Sequence, residues 1–223
     1  MDLILGIDDA GRGPVIGPMI LAGCLMDKKY DSELRKLGVR DSKDLTELRR
    51  EFLEKEIRER AETFEIVKIS PNEIERKNLQ GTKLNEVEAE MAAKIINKIN
   101  DGEKKITVIV DCPSTTISKW KDYLKTKIEN LSNLDIVCEH KADRKYVPVS
   151  AASIIAKCER ERQMDLLKKK YGEEIGSGYP SDPKTTKFLE KYFEKYENEG
   201  IFRKTWETWK KLKKQTAQKK LKF

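Results

Sequence analysis

The chain has 223 residues, of which 38% are hydrophobic and 38% are charged, and its net charge is +7. A chain of this length buries enough apolar surface to fold without disulfide bonds or a structural metal ion, and its apolar content excludes a disordered protein. No segment approaches the roughly 20 apolar residues of a membrane helix, and a motif begins directly at the N-terminus. We therefore expect a cytoplasmic protein with no membrane association and no signal peptide.

The spacing of apolar residues predicts strands that alternate with helices. Short apolar runs predict strands over residues 3–7, 19–26, 63–69, 106–110 and 134–138. Helical spacing and capping residues predict helices from Thr46 to about Ala61, from Ser70, from Leu84 to Ile99, over 117–131, over 151–170, from Asp182, and near the C-terminus. This alternation indicates an α/β fold, a mixed β-sheet flanked by helices.

The C-terminal part carries the positive charge of the chain. We expect one domain over residues 1–176 and a helical part with a basic tail over residues 177–223. Residues 203–223 contain nine lysines and arginines and one glutamate, so they carry +8 and the rest of the chain carries −1 of the net +7. Such a tail suits a polyanion such as nucleic acid, but a solvated helix end explains the same charge. Trp206, Trp209 and Leu212 form an apolar stripe that predicts a packed last helix.

Acidic residues follow three of the predicted strands. Asp8 and Asp9 end the first strand, Asp111 ends the fourth, and Asp143 comes shortly after the fifth. If the first and fourth strands are parallel neighbours, their carboxyl ends lie at one edge of the sheet, where α/β proteins build sites. Carboxylates about 4 Å apart repel each other by about 4 kcal/mol at an effective dielectric of 20, so a cluster requires cations or protonation.

Oxygen ligands without histidine or cysteine favour Mg²⁺ or Mn²⁺, and two such ions would support hydrolysis of a phosphodiester. The four cysteines are widely spaced and the chain has one histidine, so we do not expect a zinc site. The alternative interpretation is that these are ordinary aspartates at strand ends. Gly11 and Gly13, directly after the acidic pair, favour a ligand site because glycines allow close approach of the backbone.

Six sequence blocks, in this order, resemble ribonuclease HII in its archaeal form: Gly6–Pro14, Asp41–Lys43, Val110–Asp111, Lys141–Tyr146, Ser150–Lys157 and Gly176–Pro183. The resemblance implies a ribonuclease H-like fold with a helical C-terminal part. It also implies an endoribonuclease that cleaves the RNA strand of RNA–DNA hybrids and incises 5′ of a single ribonucleotide in duplex DNA. The products would carry 3′-hydroxyl and 5′-phosphate ends.

The resemblance places Asp8, Asp9, Asp111 and Asp143 on the family's four catalytic, metal-binding carboxylates, and it implies two-metal-ion hydrolysis with Mg²⁺ or Mn²⁺. Asp9 departs from the family, whose second acid is usually glutamate. The aspartate is shorter by one methylene, or about 1.5 Å of reach. We hypothesise that Asp9 still serves, through a bridging water or with a preference for the larger Mn²⁺.

The resemblance also implies contacts to the substrate. Gly11, Arg12 and Gly13 fall on the segment that contacts the ribose 2′-hydroxyl, and Tyr179 falls on the tyrosine at the RNA-to-DNA junction. Lys43 falls in a motif that meets backbone phosphate. Without the resemblance, the sequence indicates that Tyr179 is an aromatic residue of a turn and that Lys43 is a solvated lysine.

The end of the chain partly resembles the peptide motif that binds sliding clamps, with Gln218 followed by an aliphatic residue and Phe223. The alternative is a frayed basic tail that contacts DNA phosphates. We expect the protein to be a monomer. Rival functions are another nuclease of the same fold, such as a junction resolvase, and a non-catalytic nucleic-acid-binding protein whose acids are structural.

Overall fold

The computed structural model describes residues 2–40 and 45–220, apart from the side chains of Lys219 and Lys220. Within these residues, the strands are β1 (Leu3–Ala10), β2 (Met19–Asp27), β3 (Thr63–Ile69), β4 (Ile106–Asp111) and β5 (Leu134–Glu139). They form a mixed sheet in the order β3-β2-β1-β4-β5. β1 pairs antiparallel with β2 and parallel with β4, and β4 pairs parallel with β5. The predicted mixed sheet is confirmed.

The helices in the described residues are α1 (Asp31–Leu37), α2 (Glu47–Arg60), α3 (Pro71–Leu79), α4 (Leu84–Ile99), α5 (Ile117–Lys125), α6 (Ala142–Lys145), α7 (Val147–Tyr171), α8 (Pro183–Tyr192) and α9 (Glu207–Lys220). Three predicted starts are confirmed by their caps. The Thr46 hydroxyl and the Asp182 carboxylate each accept a backbone N–H of the first turn, and Ser70 forms a capping box with Glu73. These bonds satisfy N–H groups that a helix start leaves without a helical partner.

Two helices differ from the predicted lengths. α5 ends at Lys125 instead of 131, because the Asn97 side chain accepts the N–H of Glu129 at 3.0 Å and so replaces a helical acceptor. α7 begins at Val147, four residues earlier than predicted, since a proline is tolerated in the first turn of a helix. The short helices α1 and α6 were not predicted from the sequence.

The described chain divides into two compact units. Unit 1 contains the residues up to Ala10, Ile20–Lys68 and Leu84–Glu159; unit 2 contains Gly11–Met19, Ile69–Lys83 and the residues from Arg160 onward. Unit 1 therefore holds most of the sheet, and unit 2 holds α3, α8 and α9. The division is interleaved along the chain, so the predicted boundary at residue 176 stays a prediction about functional domains.

In unit 1, the first half of α7 packs closely on the sheet. A Cβ atom at Gly6 of β1 would lie 2.1 Å from the carbonyl carbon of Pro148, so only glycine fits there. Ala151 and Ala152 of α7 are fully buried in the same core. Small residues at this end of α7 thus allow its close approach to β1, the strand that carries Asp8.

In unit 2, aromatic residues form the core. The ring centroids of Phe202 and Trp209 lie 4.9 Å apart, and those of Phe193 and Trp209 lie 5.9 Å apart. Trp206 and Leu212 pack against the same cluster while remaining partly exposed. The predicted apolar stripe of the last helix is confirmed as a packing face.

Candidate functional site

The carboxyl ends of β1 and β4 lie side by side. Ile7 of β1 is opposite Val110 of β4 in a parallel pair, so Asp8 and Asp111 occupy the next position of each strand. The sequence left this adjacency open as a condition of the metal site, and the strand pairing confirms it. Asp111 is in turn opposite Glu139 of β5, whose carboxylate is bonded to Lys145 and Tyr146.

Asp8 is a buried carboxylate with further carboxylates beside it. Its side chain is 6% exposed and accepts the backbone N–H of Asp9 at 2.8 Å. Burial raises the pKa of Asp8 well above its ordinary value, and the charges of Asp9 and Asp111 raise it further. The hydrogen bond from Ser153 of α7 lowers this pKa but does not offset the other effects. The folded chain therefore disfavours a charge on Asp8.

Asp111 is held by the backbone of the following turn. Its Oδ1 accepts the N–H of Ala142 at 2.9 Å. Lys141 adopts a left-handed backbone conformation, with φ at 57°, directly before this N–H. The pKa of Asp111 is raised by partial burial and then by the charge of Asp143, against the hydrogen bond from Ala142. The turn at Lys141 thus brings Asp143 into the electrostatic environment of Asp111.

Asp143 is buried at the start of α6, with 7% of its surface exposed. The hydroxyl of Ser150 donates to its backbone carbonyl. Ser150 and Ser153 lie in the sequence block that carries the family resemblance, although the sequence assigned neither of them a role. Ser150 thus bonds to the backbone at the start of α6, and Ser153 bonds to the carboxyl group of Asp8 at the end of β1.

Successive side chains of a strand point to opposite faces, so the Asp9 side chain leaves β1 on the face opposite to that of Asp8. At the end of the strand, both residues nevertheless line one pocket with Asp111, and Glu88 of α4 lines the same pocket. Glu88 is 2% exposed and was missed from the sequence. A signal existed, since Glu88 is four residues after Leu84 and so lies in the stripe of α4 that was predicted to be apolar.

The chemistry of this donor set fits a divalent cation that prefers oxygen, because each donor is a carboxylate and the pKa values of Asp8 and Asp111 are raised. Within residues 2–40 and 45–220, however, no group of three or more histidine, cysteine, aspartate or glutamate side chains is placed so that it could hold a metal ion. The convergence of all four aspartates into one metal site therefore stays a prediction.

The predicted substrate residues of unit 2 lie together. Val15 and Ile16 donate their N–H groups to the carbonyl of Gly178, at 2.9 and 3.2 Å. A Cβ atom at Gly13 would lie 3.6 Å from the ring of Tyr179, which is 38% exposed. Arg160 of α7 lies over this ring, with its guanidinium carbon 4.8 Å from the centroid. Gly13 and Tyr179 thus lie side by side within unit 2, and together with Gly11 and Arg12 we call them the glycine-loop surface.

Two predicted features lie outside the described residues. Lys43 belongs to residues 41–44, and of the tail motif the structure describes Gln218 but not the side chains that follow it.

Arg203, at the start of the basic tail, was missed as a site residue. It is fully buried, and its side chain donates hydrogen bonds to carbonyls of residues 11–17, which we call the glycine loop. No helix in the described part of the chain is long and apolar enough to cross a membrane.

A mixed sheet in this strand order, with aspartates at the carboxyl ends of two adjacent parallel strands, is the arrangement expected of a ribonuclease H-like fold. Residues 5–209 match the family model for Ribonuclease HII. Ribonuclease HII of Methanocaldococcus jannaschii is 44% identical, over 98% of this chain and 98% of that protein. The chain belongs to the ribonuclease HII family and is a nuclease enzyme.

Solved structures agree with this assignment. The ribonuclease H2 from Pyrococcus horikoshii OT3 has a TM-score of 0.84 and 38% identity, and the match covers 96% of this chain and 98% of that one. Ribonuclease HII from Archaeoglobus fulgidus, solved in complex with PCNA, has a TM-score of 0.80 and 38% identity over 92% of this chain and 95% of that one. Bst-RNase HIII, solved in complex with Mn²⁺, shares the fold at 20% identity, with a TM-score of 0.77 over 95% and 69%.

Proposed function

We propose that the protein cleaves the RNA strand of RNA–DNA hybrids and incises 5′ of single ribonucleotides in duplex DNA by two-metal-ion hydrolysis. The observation that carries this proposal is the pair of aspartates at the carboxyl ends of β1 and β4, Asp8 and Asp111, in a chain of the ribonuclease HII family. Their raised pKa values fit a site that a divalent cation would stabilise.

Asp8, Asp9, Asp111 and Asp143 are the proposed ligands. Bound Mg²⁺ or Mn²⁺ would polarise the scissile phosphate and lower the pKa of an attacking water. The chain itself orients the carboxylates: the N–H of Asp9 holds Asp8, and the N–H of Ala142 holds Asp111. Such bonds to ligand carboxylates fix their orientation. The Mn²⁺ complex of Bst-RNase HIII supports Mn²⁺ as one candidate ion.

Recognition of RNA is assigned to the glycine-loop surface. The 2′-hydroxyl is the group that distinguishes RNA from DNA, and backbone groups of Gly11–Gly13 can bond it in a fixed geometry. The exposed ring of Tyr179 can stack on the neighbouring sugar or base. The contact between Gly13 and Tyr179 within unit 2 supports assigning both to the same nucleotide step.

The test uses a DNA duplex with one embedded ribonucleotide, incubated with Mg²⁺, Mn²⁺ or EDTA. We expect incision on the 5′ side of the ribonucleotide with either ion and none with EDTA. An all-DNA duplex and a four-way DNA junction serve as controls. Cleavage of the junction without cleavage at the ribonucleotide would favour the resolvase alternative and reject the proposal.

We also propose that the C-terminal tail binds a sliding clamp. The Archaeoglobus fulgidus relative was solved in complex with PCNA, and this chain ends in a related peptide pattern from Gln218 to Phe223. Deletion of residues 216–223 should abolish capture by an immobilised clamp while leaving ribonucleotide incision intact. Capture that survives the deletion would move clamp binding to another surface.

A further inference from the structure

Arg203 is a buried arginine at the base of the glycine loop. It is 0% exposed and is the largest of the fully buried side chains among the described residues. Its backbone N–H donates to the carbonyl of Val15 at 2.9 Å, so the same residue is tied to the loop by main chain and side chain. A buried guanidinium is tolerated only where its N–H groups have acceptors.

The acceptors of Arg203 are backbone carbonyls of the glycine loop. Its two Nη atoms donate to the carbonyls of Gly11 at 2.6 Å and Arg12 at 2.7 Å. Nε and Nη2 also donate to the carbonyl of Gly17, at 3.1 and 3.0 Å. One side chain therefore holds both ends of the loop.

Trp206 adds a contact to the next carbonyl. Its indole N–H donates to the carbonyl of Gly13 at 3.3 Å, and the guanidinium carbon of Arg203 lies 5.0 Å from its ring centroid. The carbonyls of three successive residues, 11 to 13, are thus held by two neighbouring side chains of the C-terminal segment. This arrangement depends on glycine at position 11, whose φ is 81°.

The direction of the loop amides follows from these carbonyl bonds. The described chain has no cis peptide bond, and in a trans peptide the carbonyl and the following N–H point in opposite directions. With the carbonyls of Gly11 and Arg12 directed at Arg203, the N–H groups of Arg12 and Gly13 are directed away from it. Two successive N–H groups are thereby oriented on the side opposite the buried arginine.

We propose that Arg203 and Trp206 are positioning residues for ribose recognition, which hold the loop amides in the orientation that distinguishes a ribonucleotide from a deoxyribonucleotide. The inference rests on the proposed function, because it assigns the discriminated group as a ribose hydroxyl at Gly11–Gly13. It makes the Phe202–Trp206 segment part of substrate selection, although its side chains need not contact the substrate.

The test compares Arg203→Lys and Trp206→Phe with the wild type. Arg203→Lys keeps the charge but loses the planar fork that reaches several carbonyls. Trp206→Phe keeps an aromatic ring and removes the bond to Gly13. Affinity is measured for two fluorescent duplexes that differ only in one ribonucleotide, and the ratio of the two affinities is the readout. KM and kcat for incision, and the affinity for Mn²⁺ alone, are measured on the same samples.

We expect the preference for the ribonucleotide duplex to fall about tenfold in Arg203→Lys and about threefold in Trp206→Phe, as expected for weakened hydrogen bonds. The loss should appear mainly in KM, while affinity for all-DNA duplex and for Mn²⁺ remains unchanged. Trp209→Phe is the matched control, because it removes an indole from the same core without a bond to the loop carbonyls.

The inference is overturned if both variants fold and keep the wild-type preference, or if Trp209→Phe lowers the preference equally. If Arg203→Lys does not fold, the result for Trp206→Phe decides. A wild-type protein that neither prefers nor incises the ribonucleotide duplex would instead reject the proposed function. The two failures are therefore distinguishable.

Discussion

The two units each contain a buried ionisable side chain, and the surroundings of these two side chains are opposite. Arg203 in unit 2 donates to the carbonyls of Gly11, Arg12 and Gly17. Asp8 in unit 1 is buried beside the carboxylates of Asp9 and Asp111, and its pKa is raised. The chain thus gives the Arg203 guanidinium several backbone acceptors and places the Asp8 carboxyl among like charges.

This difference indicates two kinds of site. A charge whose hydrogen bonds are satisfied by carbonyls holds a loop rigidly and needs no ligand. A charge among like charges lowers the stability of the folded chain, and such strain is typical of sites that a cation or substrate completes. Mutations at the two sites should therefore have opposite effects on stability, which makes the comparison testable.

The largest effect is expected from Asp111→Asn on catalysis. Loss of this proposed ligand should lower metal-dependent incision by about 10³-fold, or about 4 kcal/mol of transition-state stabilisation. Asp135→Asn, an exposed aspartate near the start of β5, is the control and should retain activity. The measurement is single-turnover incision with Mg²⁺ and with Mn²⁺. Full activity of Asp111→Asn would mean that the acids are structural.

The next effect is expected from Arg203→Met on stability. Removal of the guanidinium leaves buried carbonyls without their donor, which should lower the free energy of unfolding by about 3 kcal/mol. Urea unfolding measures the change. Lys184→Met, on an exposed side chain of the same unit, should change stability by less than about 0.5 kcal/mol. Equal effects of both variants would contradict the assignment of Arg203 as the support of the loop.

In the absence of metal ions, Asp8→Asn is expected to raise the free energy of unfolding, the opposite of the effect of Arg203→Met. Burial and neighbouring charges raise the pKa of Asp8, so the folded state binds this proton more tightly than the unfolded state. Stability therefore falls as the pH rises from the ordinary carboxyl pKa of 3.8 through the raised value, and the loss is complete above it. Asp8→Asn removes this loss and should raise the free energy of unfolding of the metal-free protein at pH 7.

Thermal unfolding at several pH values in EDTA checks the sign. The advantage of Asp8→Asn over the wild type should shrink toward zero as the pH falls below 3.8, because the wild-type carboxyl is then protonated in both states. Addition of Mn²⁺ should stabilise the wild type more than the variant, since a ligand stabilises the state that binds it. If Asp8→Asn is instead less stable than the wild type at pH 7, the folded chain stabilises the charged form of Asp8, and the contrast with Arg203 is wrong.

Much of the fold that positions the carboxylates was predictable because its signals are local. The apolar run before Asp8, the β-branched run before Asp111 and the caps at Thr46 and Ser70 each depend on a few neighbouring residues. Their strands are then placed by the general rules of α/β sheets. The position of the Asp9 side chain depends on the face of β1 to which it points, and that of Asp143 depends on the turn at Lys141. No local sequence pattern determines either feature.

The residues that support the glycine loop were not predictable, because their contacts are distant in the sequence. Arg203 begins a run of basic residues, so its sequence context indicates a solvated cation. Its burial arises from carbonyls about 190 residues earlier in the chain, 191 residues for Arg12 and 192 for Gly11. Glu88 was partly predictable. A charged residue within an apolar stripe indicates an unusual environment, but the sequence does not show what that environment is.

The smallest effect is expected at Asp9, where the resemblance to the family implies a glutamate. Asp9 lines the same pocket as Glu88, and Asp9→Glu would add about 1.5 Å of reach toward the proposed ions. If the short side chain favours the larger Mn²⁺, Asp9→Glu should raise the ratio of Mg²⁺-supported to Mn²⁺-supported incision by about threefold, less than 1 kcal/mol. Glu88→Gln tests whether the neighbouring acid contributes to this ratio. An unchanged ratio in Asp9→Glu would mean that the missing methylene does not set the ion preference.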